Sequence, residues 1–123
     1  MPWSAIAAFL LALAVALGAF GAHGLKNHLD AYLMGVWEKA VFYHFVHALG
    51  LFIASVLPKL GIVPQSSGTW VCSLLLAGIL IFSGSLYVLA MTGMRGLGAI
   101  TPIGGLSFIA AWFLLAFAAF DRR

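Results

Sequence analysis

The sequence predicts an all-α fold, an integral membrane four-helix antiparallel bundle forming a single transmembrane domain over residues 1–123. Three observations predict it. Of the 123 residues 64% are hydrophobic and only 7% charged, with a mean hydropathy of +1.14, whereas charged residues make up about a quarter of a soluble domain. The apolar residues fall into four runs, approximately 3–22, 40–57, 70–91 and 102–120. Each run reaches about 27 to 33 Å as a helix, matching a hydrocarbon core of about 30 Å. The connections are short and rich in Gly, Pro and polar residues, which favours antiparallel neighbours.

The first run, Trp3 to Ala22, carries no charged side chain. Its length and uncharged start argue for a retained span rather than a cleaved leader. Ile6, Phe9, Leu10, Leu13, Leu17 and Phe20 fall on one arc, with Ala7, Ala14, Gly18 and Gly21 on the other side. Helices associate in lipid through small residues that let backbones approach, so the second arc is expected to face the bundle. A further stripe, Ala5, Ala8, Ala12, Ala16 and Ala19, ends at His23. It exceeds what one compact bundle needs, so self-association into a homo-oligomer is expected. Between Leu25 and Trp37, apolar residues recur at helical spacing against Lys26, Asn27 and Asp30. That pattern fits a short amphipathic helix in the membrane interface or a plain loop.

On the second run Phe42, Phe45, Leu49, Phe52, Ile53 and Val56 make a lipid-facing stripe, and Ala40, Tyr43, His44, His47, Gly50 and Ala54 lie opposite. The third run aligns Ser73, Ala77, Leu80, Gly84, Tyr87 and Met91, and the fourth Gly104, Ser107, Ala111, Leu114 and Ala118. These stripes step alternately by four and three, a period that predicts left-handed packing. Thr101 before Pro102 reads as an N-cap with proline in the first turn. Trp3, Trp37 and Trp70 stand at run ends, where interfacial aromatics are expected.

Depth adds a constraint. The first run ends, and the second begins, at the face carrying the connections between helices one and two and between three and four. His23, Tyr43, His44, His47, Ser83, Ser85, Tyr87 and Thr101 are therefore assigned to that half of the membrane. Of these, His23, Tyr43, His44, His47, Ser83, Tyr87 and Thr101 are the candidate ligand-binding residues of a polar pocket that takes a lipid head group or small ligand, or supports a partner. Lys59, Arg122 and Arg123 on the terminal side balance Lys26, Lys39 and Arg95 on the other. Glu38 beside Lys39, and the α-amine, tip the expectation toward cytoplasmic termini.

The net charge of +3 and the pI near 9.4 come from scattered residues without a basic stripe, so they read as membrane-flanking charge and not as a nucleic-acid surface. A single cysteine, Cys72, excludes an intramolecular disulfide. Three readings of the histidines stay open. His44 and His47, three apart, could ligate a metal with His23, although no H-E-x-x-H motif is present and Glu38 points elsewhere on the wheel. They could form a titratable site in an oligomeric transporter of protons or small solutes. They could also only tie helices together. No enzyme, cofactor or metal is expected. Asp30 and Asp121 lie at opposite ends, no G-x-S-x-G elbow surrounds Ser83 or Ser85, and the Gly93 to Gly105 stretch lacks the ending of a phosphate loop. Small multidrug exporters have this length but rely on a membrane-embedded Glu in the first helix, which this chain lacks.

The blocks Ala16-Leu17-Gly18-Ala19-Phe20-Gly21-Ala22-His23, Tyr43-His44-Phe45-Val46-His47-Ala48-Leu49, Phe82-Ser83-Gly84-Ser85-Leu86-Tyr87 and Thr101-Pro102-Ile103-Gly104-Gly105 resemble the signature blocks of the YgdD/YwdK-like family of small four-span membrane proteins, a domain of unknown function. Nearly the whole chain takes part in the resemblance. It implies a multi-pass protein of the bacterial cytoplasmic (inner) membrane and brings no activity, substrate or catalytic residue.

Overall fold

The computed structural model describes residues 1–121, so Arg122 and Arg123 of the charge count lie outside the described residues. The helices are α1 (Trp3–His23), α2 (Ala31–Val56), α3 (Gln65–Thr92) and α4 (Thr101–Asp121). A short 3-10 turn, Arg95–Ala99, leads into α4. Each helix is long and apolar enough to cross a membrane. The chain is an all-α integral membrane protein.

Side-chain pairs fix the antiparallel order. Ser4 Oγ at the start of α1 meets Ser55 Oγ at the end of α2 at 2.8 Å, and Trp37 Nε1 near the start of α2 donates to the Leu17 carbonyl at 3.0 Å. Ser107 near the start of α4 donates to the Leu74 carbonyl of α3 at 2.7 Å. The two middle helices have 39% and 44% of their apolar windows buried against 17% for α1 and 22% for the last span, so α2 and α3 form the centre and the others flank them. Their shared core joins Ala7, Leu51, Val71, Leu75, Phe108 and Ala111.

On α1 the buried positions are Ala7, Ala14 and Gly21, seven apart, while Phe9, Leu13 and Phe20 are exposed. On α4, Gly104, Ala111 and Ala118 repeat the same interval. Small residues therefore mark the contacts on both flanking helices, as packing in lipid favours.

Two elements differ from expectation. The Leu25–Trp37 segment is neither a separate interfacial helix nor wholly a loop. Asp30 accepts from the Leu33 N–H at 2.8 Å, and this N-cap starts α2 at Ala31, so the stretch from Tyr32 onward is the opening of a continuous span. Trp37 is correspondingly not an interfacial anchor. It is buried, packed with Leu25 and Ala90, and its indole rests against Gly21, where any Cβ would strike the ring.

The third helix departs further. Ile79–Ser83 is a π-helical turn, in which the Gly84 N–H reaches back to the Ile79 carbonyl. The inserted residue rotates the face that follows it. Leu80 and Met91, expected on the inward stripe, are exposed, while Cys72, Leu75, Ile79, Ser83, Leu86 and Ala90 are buried. The bulge is closely approached by α4: Gly104 sits against the Phe82 backbone, where no Cβ would fit.

Candidate functional site: an interhelical polar network and the adjoining cleft

His44 is at the midpoint of α2 and fully enclosed. Its Nε2 lies 2.8 Å from the Leu10 carbonyl of α1 and its Nδ1 2.8 Å from the Tyr87 hydroxyl of α3. A carbonyl can only accept, so Nε2 carries the proton and Nδ1 accepts from Tyr87. One neutral imidazole thus joins three helices.

His47, one turn on, donates from Nδ1 to the Tyr43 carbonyl of its own helix at 2.8 Å. Its ring stacks on Phe108 of α4 with centroids 3.6 Å apart and lies near Trp112. Tyr43 packs between His47 and Phe82. Ser83, brought round by the π turn, donates to the Ala40 carbonyl of α2 at 2.8 Å. Ser85 donates to the Phe82 carbonyl at 2.9 Å and in turn receives the Thr101 hydroxyl at 2.6 Å, which ties α3 to the start of α4.

The predicted set is therefore mostly brought into the bundle, with two corrections. His23 does not join it: it is the exposed last residue of α1, because the helix ends there and its ring clears the bundle. Nor do His44 and His47 sit in the half nearest the 1–2 and 3–4 connections. Starting α2 at Ala31 moves them to the helix centre and just beyond. The three-histidine metal arrangement fails for the same reasons. His44 has both nitrogens engaged, and the described residues contain no group of three metal-ligating side chains.

Among the described residues no buried side-chain polar atom lacks a hydrogen-bond partner. The network is accordingly a set of satisfied interhelical ties.

An open cleft lies beside it, at the end of the bundle where α1 finishes and α2 begins. Its volume is about 560 Å³ and it is lined by Gly18, Gly21, Ala22, Lys26, Met34, Trp37, Glu38, Val41, Phe42 and Phe45. None of the sequence-predicted site residues lines it. Trp37 and Gly21 are its buried floor, Phe42 and Phe45 its exposed wall, and Lys26 and Glu38 are exposed at its mouth. Among the described residues neither charge has an ion-pair partner. Sequence reasoning missed this feature because its lining comes from two helices and a turn. The one available signal was Gly18 and Gly21 at the same end of the bundle as Lys26 and Glu38. Nearby, Arg95 lies over the Tyr32 ring at 4.0 Å and pins the 3–4 connection to the start of α2.

Comparison with known proteins gives a consistent result. Residues 17–105 match the family model described as protein of unknown function (DUF423). A UPF0382 membrane protein of Staphylococcus haemolyticus is 50% identical over 108 residues, covering 88% of this chain and 86% of that protein. The UPF0382 membrane protein YwdK of Bacillus subtilis is 50% identical over 109 residues, covering 87% and 86%. A relative from Staphylococcus saprophyticus is 48% identical over 88% of each chain. No solved structure matches the chain.

Proposed function

The chain belongs to the DUF423 family of membrane proteins, and from that premise we propose that it is a non-enzymatic lipid-binding protein whose site is the cleft between α1 and α2. The observation that carries this reading is the cleft itself. Its volume of about 560 Å³ falls within the range of about 300 to 1,000 Å³ typical of small-molecule sites. Its chemistry is graded: Phe42, Phe45 and Val41 offer an apolar wall for an acyl chain, and Lys26 and Glu38 offer charge at the mouth for a head group. The mouth lies at a helix end, where a membrane protein meets the head-group layer.

The polar network has a supporting role in this reading. By holding α1 to α2 through His44 and α2 to α3 through Ser83, it keeps the cleft walls apart at a set distance.

The setting is the cytoplasmic membrane of a bacterium with both termini inside, supported by the bacterial relatives and by the charge balance. A second copy would pack along the exposed stripe Ala5, Ala8, Ala12, Ala16 and Ala19 of α1, which presents small residues to lipid.

Native mass spectrometry of the chain purified in mild detergent tests the lipid reading. Retained lipid is expected, and Gly18→Leu should remove it, because a side chain grown from Gly18 beside Val41 enters the cleft. Equal lipid retention by the two proteins would sink the reading.

A further inference from the structure

We infer that the cleft selects a zwitterionic phospholipid whose head group ends in a primary amine, of the phosphoethanolamine type. This rests on the lipid-binding reading above and adds to it the chemistry of the head group.

The inference begins from two opposite charges that share one cleft without neutralising each other. Lys26, on the connection after α1, and Glu38, in the first part of α2, both line the cavity and are both exposed. Among the described residues neither forms an ion pair. Lys39, next to Glu38 in the chain, is not part of the lining, so the carboxylate is not masked from the cavity side.

Head-group classes meet this pair differently. An anionic head group gains from Lys26 and is repelled by Glu38. A head group that is neutral overall but carries a separated phosphate and ammonium satisfies both. Within the zwitterions, a quaternary ammonium has no N–H, whereas a primary ammonium can donate a charge-assisted hydrogen bond to the carboxylate, which is the stronger class of hydrogen bond. The site thus distinguishes ethanolamine from choline by donor capacity and from glycerol by charge.

The apolar part of the cavity agrees with a lipid and not a free phosphoamine. Gly18, Phe42 and Phe45 continue the cleft from the charged mouth toward the membrane interior, and Phe42 and Phe45 are exposed there. A soluble phosphoamine would leave that wall uncovered.

The full chain in mild detergent is offered an equimolar mixture of phosphatidylethanolamine, phosphatidylcholine and phosphatidylglycerol with identical acyl chains, and bound lipid is read by native mass spectrometry. The ethanolamine lipid should be retained about tenfold over either competitor, the lower end of what a hydrogen bond to a charged group supplies. Glu38→Gln should abolish the preference over choline and raise glycerol-lipid retention, and Lys26→Gln should lower retention of all three. Both positions are exposed, so neither change threatens folding. Equal retention of the three lipids, a preference for the glycerol lipid, or an unchanged preference in Glu38→Gln would overturn the head-group assignment while leaving the cleft reading standing. Lipid retention that survives Gly18→Leu would instead overturn the cleft reading, and this inference with it.

Discussion

The Tyr87 hydroxyl donates to Nδ1 of His44 across the α2 and α3 interface at 2.8 Å, and this bond exists because the opposite nitrogen of the same ring is committed to the Leu10 carbonyl of α1. Tautomer and helix packing are therefore one property. A ring with the proton on Nδ1 would turn a lone pair toward the Leu10 carbonyl and lose that tie, while Tyr87 would accept instead of donate.

The coupling is measurable. Tyr87→Phe leaves Nδ1 of His44 without a donor, and His44→Phe removes both partners. In a double-mutant cycle of unfolding in detergent, the pair should show an interaction energy of about 0.6 to 1.7 kcal/mol, the range of hydrogen bonds between transmembrane helices. Strict additivity of the two single changes would show that the bond contributes nothing to packing.

Two glycines one helix apart should behave oppositely. A Cβ at Gly104 meets the Phe82 backbone, which cannot rotate away, whereas a Cβ at Gly84 meets nothing nearby. Gly104→Ala should therefore destabilise the protein by about 1 to 3 kcal/mol, and Gly84→Ala should be neutral or stabilising by up to about 1 kcal/mol. Thermal unfolding of the two variants side by side is the check, and a reversed order would contradict the close approach of α4 to the π turn.

Trp37 and Trp70 separate a buried indole from a lipid-facing one. Trp37 is 4% exposed and Trp70 64% exposed. In variants retaining one tryptophan each, brominated lipid should quench Trp70 emission whatever occupies the cleft, and Trp37 emission only through a lipid seated on the cleft floor, so Gly18→Leu should relieve the quenching of Trp37 alone. Quenching of Trp37 that survives Gly18→Leu would place its indole on the open lipid-facing surface, as its position at a run end first suggested.

Cys72 is enclosed within the core that joins all four helices. A maleimide should label it slowly in the folded protein and fully once the bundle is opened with dodecyl sulfate. Rapid labelling under native conditions would mean that the α3 core position is wrong.

The depth of the polar residues shows why some of the site was legible and some was not. Ala7, Ala14 and Gly21, and Gly104, Ala111 and Ala118, could be assigned inward from spacing alone, since a regular helix returns to the same face every seven residues. The stripe Ser73, Ala77, Leu80, Gly84, Tyr87 and Met91 lies about one residue off the buried one, Cys72, Leu75, Ile79, Ser83, Leu86 and Ala90, and the offset is present ahead of the π turn at Ile79–Ser83. Apolar residues occupy nearly every face of α3, so spacing alone does not choose between adjacent stripes.

The sequence by itself determined the class of this protein, its four spans, the small-residue faces of α1 and α4 and the inward turn of His44 and His47. These follow from composition, from run length against bilayer thickness and from helical period, all of which are local properties. Only the tertiary structure decided that His23 stands apart and that Lys26, Glu38 and Gly18 line one cleft. Those facts depend on how separate helices meet, and no regularity along a single helix encodes the distance to its neighbour.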